Sequence, residues 1–235
     1  MTDTQLTFGS WKGPKGKPRM AAEVQNLLIL GTGAFALEMA DMISDIKYLR
    51  LAGFIENMDR RRCHQQSDAL PVYWVDDVAH LAKDHWAVCS LATTKRRAFI
   101  EQVESYNIRF ATPVHPSATV SSKTSLGNGT FISPGVIIAS NTRLGRHVRV
   151  NRGVLIGHDT AIGDYVTIQP GANIAGMCTI GQSTYVAMGA TIIDRVSVGS
   201  NSVIGAGAVV VEDVPDRVMV VGVPARIIKE NIDGK

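Results

Sequence analysis

The 235 residues carry a net charge of +3, 45% hydrophobic side chains, 22 glycines and few aromatics, the composition of a globular chain with an aliphatic core. No apolar run approaches the roughly 20 residues that a membrane span needs, no apolar signal core opens the chain, and the cysteines Cys63, Cys89 and Cys178 stand at unrelated spacings that suit free thiols better than disulfides or a metal knuckle. A cytoplasmic protein with no membrane partner is the expectation, and no nucleic-acid partner either, because the excess charge sits in residues 1–20, where Lys12, Lys15, Lys17 and Arg19 face Asp3 alone.

Residues 1–22, which include G-S-W-K-G-P-K-G-K-P-R, read as a mobile basic arm. Residues 23–112 read as an α/β unit. The run Q-N-L-L-I-L-G at 25–31 is a buried strand, G-T-G-A-F-A is a glycine turn, and L-E-M-A-D-M-I-S-D-I has a helical pattern. Gly31, Gly33 and Ala36 occupy the G-x-G-x-x-G/A positions, where backbone can approach a phosphate at a helix N-terminus. A second strand, L-A-G-F-I-E-N, ends on Glu56 and Asn57 at a suitable distance for a ribose hydroxyl. A third, W-A-V-C-S-L-A, precedes T-T-K-R-R-A-F-I-E-Q-V, whose Lys95, Arg96 and Arg97 read as a solvated helix start, with a diphosphate clamp as the alternative. Only about one mononucleotide half fits into 23–112, so the unit suits a mononucleotide or nucleotide-sugar better than NAD, or the turn is purely structural. Gly31, Gly33, Ala34, Glu56 and Asn57 are the candidate substrate contacts.

Residues 113–235 repeat. From Val120 to Val210 an aliphatic residue returns at every sixth position for sixteen hexads without a slip, and the next residue is usually small. A period of six is neither helical nor that of a flat strand. Short strands joined by tight corners satisfy it: three make an eighteen-residue triangular coil, and stacked coils pair their amides while columns such as Ile138, Ile156, Ile174 and Ile192 fill the interior.

The pattern resembles the hexapeptide-repeat transferases, which implies a left-handed parallel β-helix. Joined to a Rossmann-like unit, it resembles the bacterial sugar O-/N-acyltransferases, the group of the sialic acid O-acetyltransferases and the PglD-type nucleotide-aminosugar N-acetyltransferases. The residues that carry the likeness are G-T-G-A-F-A-L-E-M-A-D, A-G-F-I-E-N, V-H-P-S-A, N-R-G-V-L-I-G-H-D, G-A-G-A-V-V-V-E-D-V-P and V-G-V-P-A-R. The resemblance implies a general base at His158, an orienting acid at Asp159, the family's asparagine at Asn151, and an amide at Gly176 that donates to a thioester carbonyl. It places CoA near Gly205, Ala206 and Arg226, and Thr167 where the family often has a second histidine near the thioester. It further implies a homotrimer with the site between subunits, and no metal. The expected activity is acetyl-CoA-dependent N-acetylation of the 4-amino group of a nucleotide-linked deoxyaminosugar. Sugar O-acetylation and a non-catalytic scaffold are the alternatives.

His158 follows the small corner residue Gly157 and should project outward from the prism. His147 lacks that setting and reads as a solvated turn, and His115, in V-H-P between the units, reads as structural. His64, His80 and His85 form no ligand set. A zinc site on the prism would need three histidines, and the repeat holds only His147 and His158.

Overall fold

The computed structural model describes residues 24–64 and 70–235; the basic stretch 1–22 lies outside the described residues. Leu27 to Leu30 are fully buried, as a central parallel strand covered on both faces should be. This strand, β1 (Gln25–Leu30), lies inside a five-stranded parallel sheet with β2 (Leu49–Glu56), β3 (Val72–Trp74), β4 (His85–Cys89) and β5 (Arg109–Phe110), in the order β3-β2-β1-β4-β5. Helix α1 (Ala34–Ser44) buries Ala36, Met39, Met42 and Ile43, and α2 (Arg97–Ser105) buries Phe99, Ile100 and Val103. The chain leaves β1 toward β2 on one side and returns as β4 on the other. The sheet's switch point therefore lies between β1 and β4, where the turns after both strands open a crevice. The Ser90 hydroxyl, just after β4, donates to Leu30 O (2.7 Å) and closes its floor.

The repeat forms sixteen two-residue strands from Thr119–Val120 to Val209–Val210, and the hexad aliphatic is the inward second residue of each. They stack as three parallel sheets. The first face contains Ile137–Ile138, Leu155–Ile156 and Asn173–Ile174; the second contains Arg143–Leu144, Ala161–Ile162 and Thr179–Ile180. The third contains Phe131–Ile132, Arg149–Val150, Thr167–Ile168, Tyr185–Val186 and Val203–Ile204, continued by Met219–Val221 and, antiparallel, Arg226–Lys229. The Rossmann-like unit and the parallel β-helix expected from the sequence are thus both present.

The faces differ in what covers them. The outer residues of the third face's five repeat strands are buried: Phe131, Arg149 and Thr167 lie under the N-terminal unit, while Tyr185 and Val203 pack with Met219 and Ile232. Arg96 bolts the two units together. Its Nη1 donates to Thr167 Oγ1 and Thr93 O (both 2.7 Å), and Nη2 donates to the carbonyls of His147, Tyr165 and Val166 (2.7–3.2 Å). The basic cluster at the start of α2 is therefore neither simply solvated nor a diphosphate clamp, because the middle arginine is an interior strut.

Candidate active site

His158 occupies the corner between the first and second faces, and its side chain is half exposed. Its Nδ1 lies 2.7 Å from Asp159 Oδ2. An ionised carboxylate can only accept, so Nδ1 carries the proton of the neutral ring and Nε2 keeps its lone pair. Asp159 is held ionised: hydrogen bonds from His158 and then Asn141 keep its carboxyl below the usual range, and Asn141 Nδ2 donates to Oδ1 at 3.1 Å. The imidazole lies over the next coil at Gly176, where a Cβ would come within 2.9 Å of Nε2. The Gly176 N–H makes no hydrogen bond among the described residues. One coil thus offers a basic nitrogen and the next an idle donor beside it.

Asn151 stands apart, at the corner between the third and first faces. It is buried, its Oδ1 accepts from Arg152 N (2.9 Å), and its Nδ2 donates to Gln169 (3.2 Å), so it does not touch His158 of the same chain. Thr167 is the clearest departure from expectation. As the outward neighbour of inward Ile168 it falls on the covered third face, has no exposed surface, and its hydroxyl is taken by Arg96. It contacts the N-terminal unit and does not lie free at a thioester.

Gly31 has φ of +98° and would place a Cβ 2.8 Å from Ser90 Oγ, so only glycine suits it. Gly33 caps α1 without a side-chain hydrogen bond and faces open space, with Ala34 exposed beside it. Glu56 is a correction. Its Oε1 accepts from the backbone of Asn57, Met58 and Asp59 (2.7–3.3 Å), and its Oε2 accepts from Thr32 and Arg62. Burial raises its pKa, but these donors outweigh burial and leave it lowered. Both oxygens are committed to holding the turn, so a ribose would have to displace them.

Gly205 and Ala206 form a corner near the far end of the prism, where a Cβ on Gly205 would meet Val221. Arg226 is exposed, donates to Ala225 O, and lines a cavity of about 330 Å³ with Val210–Pro215, Val220, Ala225 and Ile227.

The remaining histidines divide. His115 joins the units as read: its Nδ1 accepts from Ser117 N, and its Nε2 reaches Asp45 at 3.1 Å. His147 overturns its reading. It is buried between Phe110 and Tyr165, with ring centroids 4.8 and 5.3 Å away, and its Nε2 reaches Glu104. Docking of the N-terminal unit covers that corner, and no local signal at residue 147 announces it. No group of metal-ligating side chains occurs among the described residues, and no described helix is long and apolar enough to cross a membrane.

The family of bacterial transferase hexapeptide (six repeats) matches residues 141–176 and 177–211. No curated protein matches the chain in sequence. Solved structures share its two-part fold. A mutant of perosamine N-acetyltransferase from Caulobacter crescentus, in complex with CoA and GDP-perosamine, is 23% identical with a TM-score of 0.80, covering 90% of this chain and all of that one. The acetyltransferase domain of PglB from Neisseria gonorrhoeae, in complex with acetyl coenzyme A, is 25% identical (TM-score 0.78), covering 87% of this chain and 99% of that one. WeeI from Acinetobacter baumannii is 25% identical (TM-score 0.79), covering 87% of this chain and all of that one. In its repeat over residues 141–211 and in its two-part fold, the chain is similar to the bacterial hexapeptide transferases and to these sugar acetyltransferases.

Proposed function

We propose that the protein transfers an acetyl group from acetyl-CoA to the 4-amino group of a nucleotide-linked deoxyaminosugar. In this reading residues 23–112 hold the nucleotide and residues 113–235 hold CoA, both substrates of the cytoplasm. The observation that carries it is the His158–Asp159 pair set over the idle Gly176 amide. The acceptor nitrogen attacks the thioester carbonyl carbon, forming the C–N bond, while Nε2 of His158 takes the proton from that nitrogen. Gly176 N–H faces the oxygen that gains negative charge. Collapse breaks the C–S bond, and the imidazolium returns the proton to the leaving CoA sulfur. The complex of the Caulobacter enzyme with CoA and GDP-perosamine supports this choice of substrates.

The half-site on each chain argues for a homotrimer. Asn151 and the glycine turn lie toward one edge of the first face and His158 toward the other, and that face exposes Ile137 and Leu155, 49% and 41% accessible. Packing through it would bring the His158 corner of one chain to the glycine turn of the next. Acetyl transfer from acetyl-CoA to GDP- and UDP-linked aminosugars, with wild type and His158→Asn, is the test. A loss of about 10²–10⁴-fold in kcat is expected for a general base; undiminished turnover removes the assignment.

A further inference from the structure

Two guanidinium groups are buried at the junction of the units, and among the described residues neither has a carboxylate partner. Arg96 has both terminal nitrogens taken, by five acceptors. Arg149 is not. It is 2% exposed, its Nη1 donates to Ser90 O, and its Nε and Nη2 have no partner. A buried charge with idle donors costs several times what a satisfied one does. Burial, then repulsion from Arg96, pulls its pKa down to about 9.

The place of these donors points to a ligand. Arg149 comes from the third face of the prism, yet its head lies in the switch-point crevice of the other unit. It touches Ser90 at the end of β4, and its Cζ lies 3.6 Å from the ring centre of Phe35, in the first turn of α1. That helix start has no side-chain cap, and Gly33 beside it faces open space. Nε–H and Nη2–H point the same way from one edge of a guanidinium, the edge that grips two oxygens of a carboxylate or phosphate side by side. Phe35 is partly buried at the margin of the core cluster of β1 and α1, so it is the side chain that shifts for a ligand to reach Arg149.

We propose that Arg149 is an oxyanion anchor contributed by the β-helix to the acceptor pocket of the N-terminal unit, its Nε–Nη2 edge binding two oxygens of a phosphate or carboxylate on the acceptor beside the start of α1. The inference rests on the reading of this junction as the acceptor's place. It deepens that reading by requiring an anionic group at a defined position.

Calorimetry on the full chain tests it, with UDP and GDP as phosphate probes and N-acetylneuraminate as a carboxylate probe. Wild type should bind at least one. Arg149→Met should weaken that probe roughly tenfold or more, as loss of a charge-assisted pair does, and Arg149→Lys by less. The probe class that responds names the oxyanion. Without probe, Arg149→Met should melt no lower than wild type, since an apolar side chain replaces an unsatisfied charge. If it does not fold, Arg149→Lys carries the test. Wild type binding none of the three probes, or affinities indifferent to either substitution, overturns the proposal. Binding needs no turnover: absent acetyl transfer would count against the acetyltransferase reading alone, and affinity indifferent to Arg149 against the anchor alone.

Discussion

Asp159 serves its own backbone and its neighbour at once. With φ of 56° it turns the corner in the left-handed region, which short polar residues tolerate better than most, and the same turn brings its carboxylate to Nδ1 of His158. Sequence could find this pair because the motif is contiguous. Thr167 is the opposite case, since its position in a motif suggested a cofactor contact while its position in space is an interior one under Arg96. Thr167→Val should therefore cost about 1.5–3 kcal/mol in urea denaturation, the range for a hydrogen bond to a charged donor. Arg96 Nη1 keeps its bond to Thr93 O, which holds the loss to that size, and kcat should stay within about twofold. Unchanged stability with a large fall in kcat would return Thr167 to the cofactor site.

At the scale of the element, the coil was legible because each of its sixteen strands repeats one instruction, an aliphatic residue inward, usually followed by a small residue where the chain turns. The small residues do different jobs, however. A Cβ on Gly157 would stand 2.5 Å from the Ala175 carbonyl carbon and 2.7 Å from Gly176 Cα, within the stacking distance of two coils, whereas a Cβ on Gly171 meets nothing within 4 Å although its φ is +69°. Gly171→Ala should cost only the left-handed strain, about 1–2 kcal/mol. Gly157→Ala should cost more and should also displace His158 from Gly176, so that activity falls along with melting temperature. Equal losses for the two would mean that stacking clearance does not govern these corners. Strands β3 and β5, of three and two residues, were not legible, because so short a run shows no period. Arg96 and His147 were misread for a related reason: their burial comes from residues about 40 to 70 positions away in sequence, and a surface created by docking leaves no local pattern.

At the scale of the whole molecule, the proposed trimer face and the junction between the two units should respond to different perturbations. The proposed trimer face exposes Ile137 and Leu155 on the single chain, so Leu155→Asp should leave a folded monomer by light scattering, with acetyl transfer lost because the two half-sites no longer meet; a trimer that survives this change would move the interface elsewhere. The junction within the chain should instead weaken in acid. His147 is buried between Phe110 and Tyr165, and burial lowers its pKa despite the pull of Glu104. In the unfolded chain the same imidazole titrates near 6.5. The folded state therefore resists a proton that the unfolded state accepts, and stability is lost as pH falls below about 6.5 toward the lower folded value. Thermal melts of wild type between pH 7.5 and 5.5 should show this loss, and His147→Gln, which can still donate to Glu104 but does not titrate, should show a flatter slope whatever its absolute stability. Parallel slopes for the two proteins would place the acid sensitivity in other groups. A flatter slope in the variant would identify the buried histidine as the point where protonation reaches the docking of the N-terminal unit onto the prism.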